Sequence, residues 1–229
     1  VAAGCHCLAP GFLENQIERS LKNLGVECID VLYLHNPETQ LGEVSRELFN
    51  DRIRAAFQFL ELAAAAGKIR MYGLATWNAF RQEESAQDHL SLAEMVELAR
   101  EVAGDAHHFR FVQLPFNLAM HEALTRPNQK VNGRQVSMVQ AARPLGITLV
   151  TSAPLLQGKL SGGLPPFVAE ALGLANDRER ALQFARSAPG ITTILVGMSQ
   201  PKHVLENLAL TAVEPAERDQ FLKLFEAGR

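Results

Sequence analysis

The stretch IDVLYLHNPE, residues 29–38, decides the fold. Ile29 to Leu34 form an apolar run of strand length. The run ends on His35, one residue short of Pro37, which cannot continue a strand. A short run without strict alternation suits a strand buried on both faces, as in a parallel sheet. Side chains alternate along a strand, so Val31, Tyr33 and His35 share one face.

Four further runs repeat the pattern: Ile69–Ala75, Phe109–Leu114, Ile147–Ser152 and Thr192–Gly197. Helical patterns separate them. Phe49, Ile53, Phe57, Leu60 and Ala64 recur at spacings of three and four, and Gly67 is placed to end that helix. Ser91 and Glu94 have the spacing of a capping box, with Leu92, Met95, Val96 and Ala99 on one face behind them. Asp177–Ser187, Lys202–Ala209 and a final Ala216–Ala227 segment also read as helices. Strands that alternate with helices at steps of about 40 residues predict right-handed crossovers and a (β/α) barrel in a single domain spanning residues 1–229. A doubly wound sheet is the rival, but no G-x-G-x-x-G follows any strand. The loops at 119–134 and 156–176 are long and marked by Gly and Pro, and such loops tend to be functional or mobile.

Eight steps of this size would need about 320 residues. The chain has 229. The expectation is therefore a (β/α)8 TIM barrel that is incomplete, with its first two or three strands absent and part of a sixth strand in Val1–Cys7. Such a barrel would leave strand edges and an apolar interior open.

Composition narrows the function classes. The chain is 47% hydrophobic and 21% charged with a net charge of −3, so it can bury a core and has no basic field of the kind that binds nucleic acid. No apolar run reaches the roughly 18 residues of a membrane span. Three cysteines suit a reducing, cytoplasmic setting better than a disulfide framework. Cys5-His6-Cys7 is too short and isolated for zinc, so no metal is expected. Gln157-Gly158-Lys159 is similar to part of a phosphate-binding P-loop, but Ala153 and Leu160 break the pattern. His107-His108 is expected as a surface turn, and Asp30 as structural.

His35 alone would read as a satisfied strand-end histidine. Five blocks in order change that: SLKNLGVECIDVLYLHNPE (20–38), AAGKIRMYGLATWN (65–78), FVQLPFNL (111–118), GITLVTSAPLLQGKLSG (146–162) and ALQFARSAPGITTILVGMSQPKHVLENL (181–208). Together they resemble the aldo-keto reductases, from about residue 13 onward. The resemblance implies metal-free reduction of a small carbonyl compound, or oxidation of an alcohol, by hydride transfer with a nicotinamide cofactor. His35 matches the histidine that orients and polarises the carbonyl. Such a donor must already be aimed where charge develops on oxygen.

The resemblance also assigns cofactor contacts. Gln113, Thr76 and Asn78 stand at the nicotinamide amide, although the usual Ser-Asn pair is replaced by Ala75 and Thr76. Ser152 takes the place of a stacking tyrosine. Leu155 and Gln157 follow at the pyrophosphate loop. Gly197, Met198 and Ser199 match the adenosine-phosphate loop, backed by free N–H groups at the helix from Pro201. Glu206 and Asn207 match an acidic-amide pair near adenine. Lys202 and His203 favour NADP(H), while Gly197 at a usual lysine position leaves NAD(H) open. Trp77 is the candidate wall of the substrate pocket, against a packing role.

The family's catalytic Asp, Tyr and Lys belong to the first three strands and have no match here. Of the two tyrosines, Tyr72 lies within a strand and Tyr33 reads as interior filler, with a surrogate proton-donor role as the alternative. Two classes follow. One is a reductase, truncated in this chain and with little turnover by itself. The other is a non-catalytic NAD(P)-binding or interaction protein. A barrel scaffold without ligand has only the departures at Ala75 and Ser152 in its favour.

Overall fold

The computed structural model describes residues 6–226. Its elements follow the expected alternation. In chain order they are α1 (Pro10–Leu24), β1 (Ile29–His35), α2 (Arg46–Ala65), β2 (Ile69–Ala75), α3 (Leu92–Ala103) and β3 (Phe109–Pro115). Then come α4 (Glu122–Thr125), β4 (Gln129–Val131), β5 (Arg134–Val136), α5 (Met138–Ala142) and β6 (Thr148–Ser152). The last are α6 (Pro166–Leu172), α7 (Asp177–Ser187), β7 (Ile191–Ile194), α8 (Pro201–Ala209) and α9 (Arg218–Leu222). Among the described residues, no helix is long and apolar enough to cross a membrane.

Contacts divide the chain into two compact units, residues 1–113 with 126–148, and residues 114–125 with 149–229. In the first, β1 and β3 flank β2, and all three strands run parallel. Their outer face packs on helices. Phe49, Ile53, Phe57 and Leu60 of α2 are fully buried, and Phe57 meets Tyr72 and Phe109 with ring centroids 5.1 and 5.2 Å apart. Each such side chain contributes about 1.5–3 kcal/mol by leaving water. The 3.6-residue period of α2 and the alternation of the strands therefore meet in one apolar layer. Tyr72 is wholly buried, and its hydroxyl donates to Glu61 (2.9 Å). The other carboxylate oxygen of Glu61 lies 2.6 Å from His108 Nδ1.

The second unit contains the end of β3, where the Phe116 N–H donates to the Ser152 carbonyl (3.2 Å), and the parallel pair β6–β7. Its core is a run of rings. Phe184 stacks between Phe116 and Phe221, with both centroid distances 5.2 Å.

Several local expectations change. The last strand stops at Ile194, three residues before Gly197, although the Leu195 N–H still bonds the Thr151 carbonyl (2.7 Å). The final helix is shorter, covering Arg218–Leu222 with a 3-10 turn after it. Ser91 caps α3, but Glu94 does not return the bond; it accepts from Asn50 instead (2.7 Å). The complete capping box is Ser137 with Gln140. The long loop at 119–134 holds α4 and the first half of a hairpin that turns through Asn132 and Gly133, both at positive φ. His107 is no surface residue: it is 4% exposed and Arg110 donates to its ring (2.8 Å). Residues 1–5, and with them most of the possible sixth strand, lie outside the described residues; His6 and Cys7 are not in a strand.

Candidate active site

The question raised by residues 29–38 has a local answer. Asn36 turns into the left-handed region (φ 45°) and donates its N–H to the Ala75 carbonyl (2.6 Å). Asparagine tolerates that conformation better than most residues. Pro37 then starts a 3-10 helix, Pro37–Gly42, with its ring at a position that needs no N–H. His35 is thus the last strand residue, exposed at the carboxyl end of β1.

Register decides what stands beside it. His35 pairs with Ala75, and Ala75 pairs with Gln113. The three share one face at the carboxyl ends of adjacent strands. Strands lie about 4.8 Å apart, so the His35 and Gln113 backbones are separated by roughly 10 Å. Thr76 follows at once; its N–H bonds the Gln113 carbonyl (2.9 Å), and its buried Oγ1 meets no protein partner. Trp77 is 42% exposed. Asn78 is half-buried, and its side-chain oxygen accepts from Arg81 (3.4 Å).

His35 is braced from behind. His6 lies 2.6 Å from the His35 carbonyl, which can only accept, so Nε2 carries the proton. His6 Nδ1 then accepts from Gln40 (3.0 Å), and Gln40 Oε1 accepts from Arg52 (2.7 Å). Burial lowers the His6 pKa, in keeping with a neutral ring. Both His6 nitrogens are used in this chain, and no metal-ligand cluster exists among the described residues.

Tyr33 lies on the same face, opposite Gly73. Burial pushes its pKa up to about 12. A proton donor working near neutral pH needs the opposite shift, so interior filling suits this side chain better.

The second unit carries the remaining candidates. Ser152 ends β6, half-buried. Ala153, Leu156 and Gln157 follow with φ of 53°, 46° and 55°, a strained turn around Leu155. Asn117, wholly buried, secures it by donating to the Ala153 carbonyl (2.9 Å). Gly197, Met198 and Ser199 are exposed between β7 and α8. At the start of α8, Pro201 has no N–H and the His203 N–H turns back to Gln200 (3.0 Å), which removes donors expected there. The His203 side chain is exposed. Glu206 pairs with Arg178, which holds its carboxyl below the usual range, and approaches Lys202 (3.7 Å). Asn207 keeps a buried, unpartnered Oδ1.

Taken unit by unit, the residues fit parts of a nicotinamide dinucleotide unevenly. Thr76 Oγ1 and Asn207 Oδ1 are buried polar atoms without protein partners, as a polar ligand would require. Glu206 is already engaged. Sequence inspection missed three roles: Glu38 as the buried acceptor of the Trp77 N–H, Asn117 as the brace of residue 153, and Arg178 as the partner of Glu206. Glu38 and Asn117 lie within the quoted blocks, but none of the three partnerships is legible in sequence, because each acts on a segment at least 28 positions away.

Residues 2–164 match the model of the aldo/keto reductase family. The chain is 29% identical over 153 residues to aldo-keto reductase yakc of Schizosaccharomyces pombe, whose name includes NADP(+); the match takes in 67% of this chain and 34% of that protein. It is 24% identical over 155 residues to aldo-keto reductase str7 of Strobilurus tenacellus, covering 67% of this chain and 35% of the relative. The chain therefore spans about a third of the length of these curated relatives. Among solved structures, the holo form of aldo-keto reductase AKR11C1 from Bacillus halodurans superposes with a TM-score of 0.66 at 16% identity, covering 96% of this chain and 68% of that one. The thermostable aldo-keto reductase Tm1743, in complex with the inhibitor epalrestat, gives 0.65 at 16% identity, with 96% and 67% covered. The parallel strands and crossover helices are thus part of a (β/α)8 fold, and the chain belongs to the aldo/keto reductase family.

Proposed function

We propose that this chain is the NADP(H)-binding part of an aldo-keto reductase that interconverts a small carbonyl compound and its alcohol. The observation that carries this reading is the row His35–Ala75–Gln113 at the strand ends, with the buried Thr76 hydroxyl beside it. Barrel enzymes build their sites at that end. The bound cofactor supplies the hydride. His35 donates a hydrogen bond to the carbonyl oxygen and polarises it. Gln113, Thr76 and Asn78 hold the nicotinamide amide, and Trp77 forms a wall for the substrate. In the second unit, Ser152, Leu155 and Gln157 serve the pyrophosphate. Gly197, Met198, Ser199, His203 and Asn207 serve the adenosine end, and Glu206 would join them only by exchanging its Arg178 partner. NADP(H) is favoured by Lys202 and His203, with NAD(H) as the alternative.

No tyrosine of this chain suits the proton-donor role. Tyr33 is shifted the wrong way, and Tyr72 is buried against Glu61. The 229-residue chain is accordingly expected to bind cofactor while turning over little substrate by itself. The second reading, a non-catalytic nucleotide-binding protein, draws on the same observation.

The test is a titration of the purified chain with NADPH and with NADH, read by energy transfer from Trp77, followed by a panel of aldehydes and ketones. Saturable binding that is weakened in Gln113→Ala supports the cofactor reading. Absence of binding to either nucleotide overturns it. Sustained NADPH-dependent reduction would refute the expected low turnover.

A further inference from the structure

The turn after β2 is held from two sides by charged groups. Glu38, on the 3-10 helix behind His35, is 4% exposed, and its Oε1 accepts the Trp77 N–H (3.1 Å). Burial raises the Glu38 pKa, against the opposing pull of the neighbouring N–H groups, of which that of Trp77 is bonded to it. Arg81, 7% exposed, donates from the other side to the Trp77 carbonyl (3.0 Å) and to the Asn78 side chain. The Asn78 carbonyl in turn accepts the N–H groups of Arg81 (2.7 Å) and Gln82 (3.1 Å). The turn closes on the Asn78 carbonyl, with the Glu38 carboxyl group at its amino end and the Arg81 guanidinium on the Trp77 carbonyl.

We propose that Glu38 is a positioning residue: with Arg81 it clamps the Trp77–Ala79 turn to the end of β1, so that His35 and the residues after β2 keep one fixed spacing. This deepens the proposed function and rests on it for the roles of Trp77 and Asn78. A glutamine supplies the same acceptor without burying charge, and buried charge costs stability unless compensated. Glu38 Oε2 is buried and meets no protein donor, so the charge is only partly compensated. Its backbone follows Asn36 by two residues, and the Asn36 N–H bonds the Ala75 carbonyl at the end of β2. The carboxylate thus reaches across the same two strand ends that this bond joins.

Trp77 is the chain's single tryptophan, so its fluorescence reports the clamp directly. In Glu38→Ala, acrylamide quenching of Trp77 is expected to rise about twofold, with far-UV circular dichroism unchanged, and the NADPH Kd to rise about tenfold. Glu38→Gln should recover most of both. In the wild type, the Trp77 amide should exchange with deuterium at least about tenfold slower than an unstructured peptide. Unchanged quenching in a folded Glu38→Ala overturns the clamp. So does fast exchange at Trp77 in the wild type, a measurement that stands even if the alanine variant does not fold. Raised quenching with unchanged NADPH affinity overturns the positioning role. If the wild type binds no nucleotide, the proposed function fails, while quenching and exchange still decide the clamp.

Discussion

Gly73 sits where its neighbour's backbone leaves no room for a side chain: a Cβ there would stand 2.2 Å from the Phe111 carbonyl oxygen. The register between β2 and β3 shifts at this point, between Tyr72 and Gly73. Two residues further on, the same strands present Ala75 and Gln113. The close approach therefore lies two residues below the candidate row, on the same pair of strands.

Gly73→Ala is expected to destabilise the protein by at least about 1–3 kcal/mol, because backbone rather than a flexible side chain must move. It should also weaken NADPH binding. Urea unfolding gives the first effect and fluorescence titration the second. A midpoint equal to wild type would mean that the bulge absorbs the methyl group.

Glu61 joins α2 to β2 through the Tyr72 hydroxyl and to the residue before β3 through the His108 N–H (2.7 Å). Glu61→Ala leaves a wholly buried hydroxyl without its acceptor and should cost about 1–3 kcal/mol. Tyr72→Phe in the same background should cost little more, since it removes the orphaned group. Additive losses in this double-mutant cycle would show that the two residues are not coupled.

Glu38 makes stability depend on pH in a definite direction. Burial raises its pKa in the folded state above the unfolded carboxylate value of about 4.3. The folded protein therefore binds more protons in the window above that value, and stability falls as pH rises through it. Glu38→Gln removes the titration, so its stability advantage over wild type should grow from acid toward neutral pH. Asp177 and Glu206, both held low by partners, act in the opposite sense but are common to the two proteins. A stability difference that does not vary with pH would contradict the assignment to Glu38.

Asn117 is buried, with one amide end on the Ala153 carbonyl and the other on the Ala119 N–H (2.9 Å each). Asn117→Ala should cost about 1–3 kcal/mol. It should also free the turn at residues 153–158, seen as faster protease nicking there. Asn117→Asp keeps the acceptor for Ala119 but loses the donor to Ala153, and should loosen the turn almost as much. An unaltered cleavage pattern in both variants would show that the turn holds its shape unaided.

The periodicities alone specified which segments become strands and helices. Apolar runs of strand length and spacings of three and four reflect local geometry that every residue feels. Thus α7 falls at Asp177–Ser187 as expected, and β2 at Ile69–Ala75. His35 could be placed at a strand end because Pro37 follows it. The hairpin at Asn132-Gly133 was equally legible but lay hidden in a long loop. Other features depended on partners distant in the chain. Glu94 serves Asn50 rather than its own helix, His107 is buried under Arg110, and Glu206 is taken by Arg178. Glu38 looks like an ordinary loop acid until the ends of β1 and β2 come together and bring the Trp77 N–H within reach. Sequence determines the elements because propensity and burial pattern act over a few residues. Tertiary structure decides the duties of polar groups, because a buried carboxylate or amide bonds whatever donor the packing brings to it.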